Sequence, residues 1–163
     1  MFRKLRSEFR GDSFWGDYFD SEEFRTGAVH LGVFVEPYIQ YILEGKKTIE
    51  SRFSINRTAP YQRVRSGDLL LLKRSGGPII GMCLISHAWF YELEESSWRE
   101  IKREYREQLC AQDPQFWRDR SAASFASLMR IHNAQQINPM RFSKRDRRGW
   151  VVLRSNLAGE LGI

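Results

Sequence analysis

"EGKKTIESRF", residues 44–53, sets Lys46, Lys47, Glu50 and Arg52 close together directly after an apolar turn. The preceding "PYIQYILEG" (37–45) begins with proline and ends with glycine, the residues that suit the first turn and the end of a helix. Tyr38, Tyr41 and Ile42 are expected on one face of that helix. "TIESRF" (48–53) then alternates, with Ile49, Ser51 and Phe53 on one side and Thr48, Glu50 and Arg52 on the other. That is a strand with a polar face. A helix therefore hands the chain to a strand whose charged side chains crowd the junction.

Working outward, "VHLGVFV" (29–35) is β-branched and apolar enough for a buried strand. After "TIESRF" comes a basic loop, "SINRTAPYQRVRSGD" (54–68), closed by a Gly67–Asp68 turn. "LLLLKR" (69–74) and "PIIGMCLISHAWFYEL" (78–93) read as two strands joined by the tight turn "SGG". "SSWREIKREYREQL" (96–109) reads as a helix with a Ser97/Glu100 capping box and a stripe of Trp98, Ile101, Tyr105 and Leu109. "DPQFW" (113–117) is a short helical turn, and "FASLMRIHNAQQI" (125–137) and "GWVVLR" (149–154) are later strands. These elements predict an α+β fold, a small β-barrel of five to six strands with flanking and inserted helices.

Composition narrows the class. The 163 residues suit one domain with a real core, with residues 1–28 as an aromatic-rich extension packed on it and residues 155–163 as a tail. The N-terminus lacks the apolar core and cleavage site of a secretory signal, no apolar run is long enough to span a membrane, and a cytoplasmic location is the default. Cys83 and Cys110 have no CxxC spacing and read as reduced core or near-core thiols. His30, His87 and His132 form no metal-ligand pattern, and His87 reads as a core histidine. No metal or other cofactor is implied.

The net charge of +6 is localised. Residues 29–92 hold eight bases against five acids and residues 121–163 seven against two, while the other two segments are each one short of neutral. A basic surplus held in particular loops suits a polyanion, nucleic acid above all. The residues expected to meet it are Arg57, Arg63 and Arg65 in the first loop, and Arg141, Lys144, Arg145, Arg147 and Arg148 in the loop before the last strand. Tyr38, Tyr61, Phe142 and Trp150 are interleaved aromatics, the combination that single-strand binding uses.

Gly45, Lys47, Glu50 and Arg52 spell G-x-K-x-x-E-x-R, followed after a loop by "GDLLLLKRSGGPIIGMCLI". This resembles the signature of the ASCH domain (activating signal cointegrator homology), a PUA-like β-barrel family, over residues 29–154. The resemblance implies a cleft for RNA or a modified nucleobase lined by Lys47, Glu50, Arg52 and Tyr38. One bacterial branch of the family hydrolyses N4-acetylcytidine with a Lys, a Thr and a Glu. Its lysine falls on Lys47, which with Glu50 would then be catalytic, but its threonine falls on Glu50. Asp113 and Glu107 are the nearest acids for its third member. Another relative is a metal-dependent nuclease of single-stranded RNA. The expectation is an RNA-binding domain, with hydrolysis of a modified nucleoside or of RNA as the alternative and a coactivator-type protein-interaction module as the third reading.

Overall fold

In "LLLLKR" the leucines run without alternation because both faces of the strand are covered. A computed structural model describes residues 1–143 and 147–157. In chain order the described elements are α1 (Phe2–Glu8), α2 (Trp15–Asp20), α3 (Glu22–Thr26), β1 (Val29–Phe34), α4 (Tyr38–Leu43) and β2 (Ile49–Ser54). They continue with β3 (Leu69–Arg74), β4 (Ile79–Glu92), α5 (Glu95–Tyr105), α6 (Pro114–Arg118), β5 (Phe125–Met140) and β6 (Trp150–Arg154). The strands form one mixed sheet in the order β2-β5-β4-β3-β1-β6, with β1 parallel to β3 and the other neighbours antiparallel. The sheet curls into a half-barrel with flanking helices, the α+β PUA-like architecture the sequence predicts.

Its two faces have separate cores. Leu70 and Leu72 of β3 point inward with Phe34, Cys83, Ile85, Met129 and Trp150, and α4 plugs this interior with Ile39 and Ile42. Leu69 and Leu71 point outward against Leu5, Trp15, Phe19 and Phe24 of the N-terminal helices. Over β2 and β5 the outer cover is α5 and α6, through Ile101, Phe116 and Trp117 against Ile49, Ala126 and Leu128.

Three local expectations change. The apolar face of α4 is Ile39 and Ile42, not Tyr38, Tyr41 and Ile42, because the helix inserts into the barrel and leaves its tyrosines at the rim. Ser97 is not the N-cap of α5 but the third residue of its first turn, and Glu94 makes the reciprocal capping box with it. His87 is not a core residue: it is exposed and packs on Trp89 with ring centroids 4.4 Å apart.

The core histidine is His30. Its Nε2 lies 3.0 Å from Asp68 Oδ2, and its Nδ1 is 3.2 Å from Trp150 Nε1. Indole N–H only donates, so Nδ1 accepts, Nε2 carries the proton and donates to Asp68, and the imidazole is neutral. Asp68 also accepts from the backbone N–H of Ala28 at 3.0 Å and of Arg65 at 2.8 Å. One buried carboxylate thus ties the Gly67–Asp68 turn, where Gly67 has φ +90°, to β1 and through His30 to β6. Asp68→Ala leaves three donors without their acceptor and is expected to cost about 3–5 kcal/mol in a urea titration. A loss below about 1 kcal/mol would show that the network does not hold the turn.

Candidate functional site

The two edge strands, β2 and β6, form no ladder with each other. A side chain bridges their seam. Arg52 on β2 donates from Nη2 to the carbonyl of Val33 on β1 at 3.0 Å and from Nη1 to that of Gly149 at 3.1 Å. Its guanidinium lies 4.7 Å from the ring centroid of Phe34 and 5.3 Å from that of Trp150. The close approach needs small neighbours: a Cβ on Gly32 would come within 3.3 Å of Nη2, and one on Gly149 within 3.2 Å of Nη1.

Beside this strut opens a cleft of about 460 Å³ lined by Phe34, Tyr38, Lys47, Glu50, Ser51, Arg52, Phe53, Phe116, Asp119 and Arg120. Lys47 and Glu50 are charged groups at 3 % and 4 % exposure. Lys47 follows the last turn of α4, where its N–H donates to Tyr41 O at 3.0 Å. Its Nζ donates to Leu109 O at 2.8 Å and lies 5.4 Å from the Tyr38 ring centroid. Burial lowers its pKa, opposed in part by the Glu50 carboxylate.

Glu50 Oε1 accepts from the Ser51 N–H at 2.9 Å and is 3.4 Å from Arg52 Nε. That approach is an ion-pair distance without hydrogen-bond geometry, so Arg52 Nε is left without a bond partner. Glu50 Oε2 is buried and also has none. An acceptor left so in a low-dielectric site costs free energy until a donor reaches it.

Helix α6 supplies the far wall. Arg120 donates to Phe116 O at 2.8 Å and sits 3.6 Å from the Phe116 ring centroid, with burial as the main influence lowering its pKa. Phe53 stacks on Trp98 with centroids 5.3 Å apart and nearly parallel planes.

Lys47, Glu50, Arg52 and Tyr38 therefore meet in one cleft. Phe34, Ser51, Phe116, Asp119 and Arg120 join them without having been singled out. The signal for the last three is the aromatic–acid–arginine run "FWRDR" (116–120). Asp113 caps α6 through Gln115 N at 2.9 Å and Glu107 is exposed; neither lines the cleft, and the acid that joins Glu50 there is Asp119.

The basic residues do not converge on it. Arg57, Arg63 and Arg65 surround a separate depression, Arg148 lines a third, and Arg141 and Arg147 are exposed. Lys144 and Arg145 lie outside the described residues. Trp150 is no surface platform: it is buried, with its indole committed to His30. Among the described residues no cluster of three His, Cys, Asp or Glu side chains is placed to hold a metal, and no helix is long and apolar enough to cross a membrane.

No protein-family model and no curated protein sequence matches the chain. Its structure does have counterparts. The crystal structure of ASCH from Zymomonas mobilis superposes with a TM-score of 0.60, covering 82 % of this chain and 92 % of that one at 15 % identity. The chain has the ASCH fold. Two mutant forms of the same Zymomonas protein superpose equally well, at 15 % and 16 % identity and TM-score 0.60. Within this ASCH-type barrel, Lys47, Glu50 and Arg52 stand at the mouth between the two sheet edges.

Proposed function

We propose that this ASCH-type domain binds RNA, or a modified nucleoside, by taking one base into the cleft beside Arg52. The observation that carries the reading is Glu50: a buried carboxylate with Oε1 occupied by the backbone and Oε2 unpartnered, in a cleft walled by aromatic rings. One free carboxylate oxygen matches one exocyclic amine, as on cytosine or adenine. The rings supply stacking of about 1–3 kcal/mol per base. Arg52 serves chiefly as the strut that fixes the mouth, since two of its nitrogens already hold backbone carbonyls.

Glu50→Gln keeps the side chain's shape and removes its charge. By calorimetry it is expected to weaken cytidine at least about tenfold, because bonds to charged groups contribute roughly 1.5–3 kcal/mol, and to leave uridine nearly unchanged. Equal cytidine affinity in parent and variant would sink the reading.

Hydrolysis of a modified cytidine or of RNA is the second reading, and one observation favours it. Lys47 is desolvated, and a lowered pKa makes a neutral amine available for nucleophilic or base chemistry.

A further inference from the structure

The cleft is one of three adjoining depressions. Arg52 and Phe53 line both the cleft and a second pocket of about 430 Å³, whose other walls include Thr58, Pro60, Ser127 and Arg148. Ala59 lines both this second pocket and a third of about 480 Å³, which Arg57, Arg63 and Arg65 surround. Arg52, which donates to Gly149 O, thus stands between the first two of these pockets.

The three pockets differ in character. The cleft is the most aromatic part, and the second pocket sets Phe53 and the buried Trp150 beside two arginines, Arg52 and Arg148. The third is cationic. Arg57 is paired with Glu92 at 2.6 Å, but Arg63 and Arg65 are exposed and their guanidinium groups pair with no carboxylate among the described residues.

We propose that these three pockets are successive subsites for single-stranded RNA, so that the ligand is an oligonucleotide of about three or more nucleotides and not a free nucleoside. This rests on the base-binding reading of the cleft. The base enters at Glu50, the strand passes over the Arg52 strut, and its phosphates reach Arg63 and Arg65. Three unrelated small-molecule sites would not require shared walls or a run from stacking surfaces to unpaired cations. A single strand, with rings on one side and phosphates on the other, does.

The test measures cytidine, tricytidylate and hexacytidylate on the full chain. Affinity is expected to rise about tenfold or more from nucleoside to trimer, in line with stacking and phosphate contacts. Arg63→Ser combined with Arg65→Ser is expected to weaken the hexamer about tenfold and to flatten log K against log salt by about one unit. Arg99→Ser on α5, outside the groove, should change neither.

Nucleoside binding with no gain in the hexamer would overturn the groove while leaving the cleft intact. Hexamer binding that depends on Arg63 and Arg65 but is indifferent to Glu50→Gln would support the groove and remove the base pocket. No binding of either ligand, or displacement of the hexamer by poly-glutamate as effective as by RNA, would overturn the proposal.

Discussion

Leu70→Asp is expected to abolish the cooperative unfolding transition. Leu70 is fully buried in the barrel interior, paired across β3 with His30 of β1 and Cys83 of β4. Removing its side chain forfeits about 2–5 kcal/mol of packing. The carboxylate that replaces it would lie in the apolar cluster of Ile39, Ile42 and Met129, beside a His30 already committed to Asp68 and Trp150. That adds several kcal/mol, so the total matches or exceeds the roughly 5–15 kcal/mol by which a domain is stable. Circular dichroism should show no sigmoidal melt. Leu70→Ala should melt cooperatively with about 3 kcal/mol lost. Ile55→Asp, on an exposed loop, should change stability by no more than about 0.5 kcal/mol. A Leu70→Asp protein melting near the parent's temperature would mean that the inner and outer faces of β3 are misassigned.

The other large effect concerns Lys47, where binding and turnover predict opposite pH dependences. Protonated Lys47 donates to a ligand's acceptor, so in a binder its contribution is lost as pH rises through its lowered pKa. In an amine-dependent hydrolase the neutral form acts, so the rate climbs through that same pKa and then levels. Binding is the expected outcome: no cytidine appears from N4-acetylcytidine at any pH, and Lys47→Met weakens nucleoside affinity about tenfold or more. Product formed by the parent, rising with pH and absent in Lys47→Met, would replace that conclusion with the hydrolytic one.

Stability offers a separate check on the same group. With the folded pKa below the ordinary lysine value of about 10.4, the unfolded chain binds more protons between the two. Stability contributed through Lys47 therefore rises with pH across that window and is level below it. Lys47→Met should remove this slope.

Much of the architecture was legible because period and punctuation are local properties. The proline–glycine frame of α4, the alternation of β2 and the turn "SGG" each follow from the residues that form them. Charge segregation pointed to the arginine loops for the same reason. The face of α4 was not legible: tyrosines and isoleucines share its apolar positions, and only insertion into the barrel chooses Ile39 and Ile42 for the interior. Which histidine is buried was hidden in the same way: His87, expected in the core, is exposed, and His30 is the buried one. Both lie in apolar strands, and only Trp150 and Asp68, distant in sequence, can satisfy a buried imidazole.

Residue order is enough to show that a helix hands over to a charged strand, that Lys47, Glu50 and Arg52 lie together, and that two loops hold the positive charge. Spacing along a chain decides such things. Only the folded chain shows that Arg52 closes a seam, that Phe116, Asp119 and Arg120 complete the cleft, and that the first arginine loop borders a depression of its own. Those groups come from strands and helices far apart in sequence. They meet because the sheet curls until its two unpaired edges face each other.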